Sequence, residues 1–231
     1  MIRNNLAVLL AQKQIKISRM ALDTGLSRTT LTALSQNDSK RIDNDTLNTI
    51  LMYLEIKPND FFNFFAYDFI VNISPKEFEA EIIVSNIEPN KSTLLINKGS
   101  FDLFVKLDDK KSPRIPVFEF EINVDSNYRS STLEHIQYQT GPDEWENDVL
   151  VDDNILFSIT GNETETDQLT KFWEREVPED FRLELTKEVL MEFYKEIFVR
   201  LSNALNVSKE AFEHYKIDLI SEKGLFGLRK R

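Results

Sequence analysis

The chain has no cysteine, two histidines and six glycines, and no apolar run that approaches the ~20 residues needed to span a bilayer. Without thiols there are no disulfides and no zinc–thiolate sites, which fits a reducing compartment. His135 and His214 stand far apart with no metal-type neighbours, so no metal or other cofactor is expected. The opening Met-Ile-Arg-Asn-Asn lacks the basic-then-apolar run of a secretory leader. These absences together predict a soluble, cytoplasmic protein with no membrane partner.

Charge is plentiful but unevenly spread. The 231 residues carry a formal charge of -11, an unfavourable balance for approaching a polyanion, since affinity for duplex DNA comes largely from Lys and Arg displacing counterions. Residues 1–66, however, hold eight basic side chains against six acidic ones, and residues 67–231 hold 20 against 33. That asymmetry, with a change of hydrophobic period near 67, predicts two domains, 1–66 and 67–231. With 41% apolar and 11% aromatic residues, each has material for a core.

The most informative segment is 17–36, ISRMALDTGLSRTTLTALSQ. Ala21 suits a close helix crossing, and Gly25 four residues later can take the positive φ of a tight turn. Met20, Leu26, Leu31 and Leu34 are spaced to seal two helices onto a common core, which turns Arg28, Thr29 and Thr32 outward. A short helix with an outward polar face is what a DNA major groove accepts. An opening helix holds Leu6, Leu9 and Leu10 and ends near Gln14, and Ser18 and Ser27 are expected N-caps. Asp43 or Asn44 starts a fourth helix, and Pro58 a fifth that carries Phe61, Phe62, Phe64 and Phe65. The predicted first domain is therefore an all-α, five-helix helix-turn-helix domain.

These residues carry a family resemblance. Segment 2–66 resembles the Cro and phage-repressor (XRE-like) class of helix-turn-helix domains, through GLSRTTL at the recognition helix and the following Lys40-Arg41-Ile42-Asp43-Asn44-Asp45-Thr46-Leu47. Thr24 departs from the aliphatic residue usual before the glycine. The resemblance implies that Ser27, Arg28, Thr29, Thr32 and Ala33 meet base edges and adjacent phosphates of an operator duplex. From the residues themselves, Arg28 can donate twice to guanine O6 and N7, and Thr29 or Thr32 can touch a thymine methyl. Arg19, Lys40 and Arg41 are expected to clamp phosphates. The Gly-Asp-Ser nucleophile segment of self-cleaving repressors is missing, so any switching is expected through a partner or ligand docking on 67–231.

Residues 67–231 resemble no recognised family. Segments 78–84, 92–96, 101–107, 118–124 and 155–159 read as strands, with Phe118-Glu119-Phe120-Glu121-Ile122-Asn123-Val124 alternating strictly. Asp108 to Lys111 with Ser112-Pro113 marks a connection between antiparallel neighbours, and 125–148 offers few cues. From Glu179 to about Leu205, Leu185, Val189, Phe193, Ile197, Leu201 and Leu205 recur every four residues, predicting a long helix that covers the sheet, pairs two copies, or does both. The predicted second domain is α+β: an antiparallel sheet plus a long C-terminal helix. Asp102, Glu119 and Glu121 suggest a metal-dependent nuclease, but Asn123 stands where its lysine would be, so no catalytic residue is expected.

The function predicted from these features is a sequence-specific transcription regulator, a phage or bacterial repressor that binds its operator as a homodimer. The alternative is a phage-encoded, anti-defence inhibitor whose acidic domain binds a host protein, with the helix-turn-helix kept for autoregulation. Its motive is the acid clustered in Asp143, Glu144, Glu146, Asp148, Asp152 and Asp153 and in Glu163, Glu165 and Asp167. The basic end, Leu228-Arg229-Lys230-Arg231, is expected to be frayed and solvated.

Overall fold

The computed structural model describes residues 1–111, 116–139, 145–221 and 223–229. The chain divides into two compact units, Met1–Tyr67 and Asp68–Arg231.

The first unit runs β1 (Ile2–Asn4), α1 (Leu6–Gln12), α2 (Ile17–Thr24), α3 (Arg28–Ser35), α4 (Asn44–Leu54), α5 (Pro58–Phe61) and β2 (Phe62–Phe64). Leu6, Leu10, Met20, Leu31, Leu34, Ile50, Leu54 and Phe61 form its buried core. It is not all-α. Ile2, Arg3 and Asn4 pair antiparallel with Phe64, Asn63 and Phe62, so the expected fifth helix shrinks to the single turn of α5. Four phenylalanines within five residues cannot all face one core from a helix. Extended backbone after Phe61 resolves this: Phe61 and Phe65 are buried while Phe64 turns outward. Ser18 lies inside α2, whose N-cap position is held by Lys16 without a side-chain bond.

The second unit runs β3 (Asp68–Val84), β4 (Lys91–Asp108), β5 (Val117–Val124), β6 (Ser130–Gln139), β7 (Trp145–Asp152), β8 (Ile155–Gly161), α6 (Glu163–Arg175), α7 (Glu179–Leu205) and β9 (Ile217–Ser221). These seven strands make one sheet in the order β7-β6-β4-β5-β8-β9, with β3 also paired to β4. The sheet is mixed, which corrects the antiparallel expectation: β8 and β9 are parallel, Ile155 beside Ile217. The chain reaches β9 only after crossing over through α6 and α7, the kind of connection parallel neighbours require.

Two predicted strands, 92–96 and 101–107, are parts of the single strand β4. Its N-terminal half pairs with β6 and its C-terminal half with β5, while β3 follows it on the other edge. Segment 125–148, poor in cues, contains β6 and the start of β7; in β6, Ser131 and Leu133 are buried. The expected turn residues Ser112 and Pro113 lie outside the described residues.

α7 buries Phe181, Leu185, Val189, Phe193, Ile197 and Leu201 and packs on β3. Phe193 lies 5.3 Å from the Phe157 ring and 6.4 Å from that of Phe101, both edge-on. The frayed, solvated end expected over Leu228–Arg231 does not hold at Leu228, which is buried, whereas Arg229 is exposed. Leu225, Phe226 and Leu228 are buried, and the Phe226 ring stands edge-on to Phe69, Phe120 and Trp173. Its φ of 57° puts Phe226 in the left-handed region, a strain held by this aromatic packing. Lys230 and Arg231 lie outside the described residues. Among those described, no helix is long and apolar enough to cross a membrane.

Candidate nucleic-acid interface

The turn between α2 and α3 is built by three adjoining residues. Gly25 takes a φ of 74° and donates its N–H to Ala21 O at 3.0 Å, closing α2. Thr24, the departure noted above, donates its hydroxyl to Met20 O (2.7 Å) and accepts from Leu26 N–H (3.3 Å). A threonine here stitches the turn through hydrogen bonds where an aliphatic residue would pack. Ala21 and Leu26 are partly buried against the core, which fixes the crossing of α2 and α3.

Ser27 caps α3. Its hydroxyl oxygen accepts Thr30 N–H at 3.0 Å and lies 2.8 Å from the Thr30 hydroxyl. Asp43 does the same for α4: Thr46 donates to it through its backbone N–H (2.8 Å) and its hydroxyl (2.6 Å), and these bonds hold the Asp43 carboxyl below its usual range.

Along the outer side of α3 runs an open groove of about 380 Å³ lined by Arg28, Thr29, Thr32, Ala33, Gln36 and Asp38. Among the described residues, the side chains of Arg28, Thr29, Thr32, Gln36 and Asp38 make no hydrogen bond or ion pair within the protein. A surface helix whose polar groups are uncommitted, around a floor as small as Ala33, has room and hydrogen-bonding capacity for base edges. Four residues expected from the sequence thus share one groove. Gln36 and Asp38 join them. Gln36 was legible as the next helical step after Thr29 and Thr32, whereas Asp38 lies past the helix end, where periodicity gives no signal.

The expected phosphate clamps are placed differently from one another. Arg19 Nε is 2.8 Å from Asp23 Oδ2, and the Tyr53 hydroxyl also donates to that carboxylate at 2.8 Å, which pushes the Tyr53 phenol up from its usual value. Arg19 remains two-thirds exposed but shares its charge. Lys40 and Arg41 are exposed on the α3–α4 loop with no side-chain partner among the described residues. Neither they nor Arg19 line the groove.

A second cleft, of about 540 Å³, opens on the sheet of the other unit between Lys76, Asp102, Glu119, Glu121, Thr160 and Glu165. Asp102 stands directly opposite Glu121 on neighbouring strands. The lysine missing from the sequence pattern arrives from β3, where a register shift between Pro75 and Glu77 sets Lys76 apart from the ladder. Its Nζ lies 2.6 Å from Asp102 and 2.7 Å from Glu121. The two bonds push the Lys76 ammonium up to about 12, and the one to Glu121 holds that carboxyl below its usual value. Among the described residues no group of three or more His, Asp or Glu is arranged to hold a metal ion.

Residues 5–66 match the family model of the Cro/C1-type HTH DNA-binding domain. The first unit is therefore a helix-turn-helix domain of that type, and DNA is the ligand class it defines. No curated protein and no solved structure matches the chain.

Proposed function

We propose that the protein is a sequence-specific transcription regulator, a repressor of phage or bacterial type, that docks α3 in the major groove of an operator. The observation that carries this reading is the groove along α3, bordered by polar side chains that bond nothing among the described residues. Ser27, whose hydroxyl is used as a cap, contributes through the start of α3, where first-turn N–H groups lack intrahelical partners and suit a phosphate. Lys40 and Arg41 clamp phosphates, and Arg19 does so while shared with Asp23.

The regulator binds as a homodimer, since one small head with few cations has a small footprint and pairing two on a palindrome raises affinity through effective concentration. Residues 68–231 supply the pairing, or receive the partner that switches it. The protein acts by binding and not by catalysis. In the second cleft the two facing carboxylates are already occupied by the Lys76 ammonium.

The test is enrichment of a randomised duplex library by the full chain, followed by light scattering of the bound complex. A palindromic site with half-sites one duplex turn apart, bound by two chains, is the expected result. A single half-site bound by one chain would remove the dimer, and no enrichment would remove the regulator.

A further inference from the structure

The carboxylate of Asp38 is out of place on a surface that meets DNA. It borders the same groove as Arg28, has no side-chain partner among the described residues, and brings negative charge toward phosphates. It is also not at the end of a loose loop. Asn37 takes a φ of 58°, donating its N–H to Leu34 O (3.0 Å), and the Asp38 N–H reaches back to Ala33 O (2.9 Å). This pair of bonds is the helix ending known as the Schellman motif, usually built on glycine because of the left-handed backbone.

Here asparagine replaces glycine and its side chain is used. Asn37 Oδ1 accepts from both the backbone N–H and the Nδ2 of Asn4, each at 2.9 Å, and Asn37 Nδ2 donates to Asn4 O at 3.1 Å. Asn4 Nδ2 also donates to Leu34 O at 2.9 Å. Asn4 in turn belongs to β1, which β2 holds by its ladder. The backbone that carries Asp38 is thereby tied to the recognition helix on one side and to the small sheet on the other.

We propose that Asp38 is a specificity-determining residue that accepts a hydrogen bond from an exposed base amino group, cytosine N4 or adenine N6, and that the Asn4–Asn37 clamp positions it. In the major groove those amino groups are the only donors on base edges; guanine O6 and N7, adenine N7 and thymine O4 all accept. A carboxylate can only accept at neutral pH, so it selects for the amino group and against the keto bases. Arg28 at the other end of the groove has the opposite preference, which gives the groove a direction along the half-site. The inference rests on the DNA-reading function proposed above.

The experiment measures base preferences of the full chain on the enriched site and its single-base variants. Cytosine or adenine is expected at one position per half-site. Asp38→Ala should reduce that preference by about tenfold, the worth of one charge-assisted hydrogen bond, while preferences elsewhere persist and show that the domain folds. Asn37→Gly keeps the left-handed backbone but removes the clamp, and should weaken the same preference partially. If Asp38→Ala instead raises affinity for every sequence alike with preferences unchanged, Asp38 merely repels phosphate and the proposal is overturned. If Asn37→Gly leaves that preference intact, the clamp has no positioning role. A wild-type chain that enriches no site would defeat the regulator reading itself, a result distinct from either.

Discussion

Lys76 shows how much one residue can decide. Asp102 and Glu121 face each other across a strand pair, an arrangement that is unfavourable for like charges unless a cation intervenes. The hydrogen bond from Lys76 and its positive charge depress the Glu121 carboxyl, so this contribution is complete above the usual glutamate value of 4.5 and is lost as pH falls through the lower folded value. For Lys76, raised to about 12, it is complete below the usual lysine value of 10.5 and is lost as pH rises through about 12. The groups are exposed and salt-screened, so the effect belongs at low ionic strength. Lys76→Met should lower the melting temperature at pH 7 and recover part of it toward pH 4, as one of the stranded carboxyls takes a proton. Adding Glu121→Gln should restore stability without that pH dependence. Circular dichroism melts across pH check both outcomes, and a pH-independent loss in Lys76→Met would show that the side chain acts only through packing.

At the scale of elements, α7 was the most legible part of the second unit because its apolar residues repeat every four positions over 27 residues. The repeat dictates a buried stripe, and the aromatic sheet face supplies the surface that covers it. Phe193→Ala should therefore destabilise the protein by ~3–5 kcal/mol, the usual range for a fully buried phenylalanine. Met191→Ala, two residues away on the same helix but 71% exposed, should stay within about 0.5 kcal/mol. Chemical denaturation of both variants checks the pair, and equal losses would indicate that Met191 is covered in solution. The helix-turn-helix was legible for a similar reason: Gly25, Met20, Leu31 and Leu34 have no other consistent arrangement.

Other elements were not legible. β1 and β2 are three residues each, too short for a period, and their pairing spans about 60 positions. β6 was hidden because its inward side chains include Ser131, which is buried and accepts a hydrogen bond from the Lys216 N–H, 85 positions further along the chain. β4 reads as two strands because Lys98 and Gly99 interrupt the apolar pattern, yet its ladder with β3 continues past a shift at Glu79 and Ala80.

For the whole molecule, charge segregation sets the terms of binding. The domain that meets DNA is roughly neutral, and the acidic remainder adds a field that opposes approach. Affinity should then depend steeply on few contacts. Lys40→Ala and Arg41→Ala should each lower the slope of log affinity against log salt by about 1, uniformly across sequences. Arg19→Ala should change it less, because Asp23 already shares that charge. Arg28→Ala should instead flatten discrimination at one base position. Binding titrations at several salt concentrations separate these classes, and a slope unaffected by Lys40 and Arg41 would place the phosphate contacts elsewhere.

The sequence alone determined the helix-turn-helix, the division of charge and the long C-terminal helix, because each rests on local periodicity, a turn residue or a count. Only the tertiary structure decided which side chains are free and which are committed. Arg28 and Asp38 line the α3 groove with no side-chain partner among the described residues, Ser27 and Arg19 are engaged by neighbours, and Lys76 is brought from another strand to two carboxylates. The physical reason is that hydrogen bonds and ion pairs are settled by proximity in space, and proximity between residues 4 and 37, or 76 and 121, leaves no trace in the order of the chain.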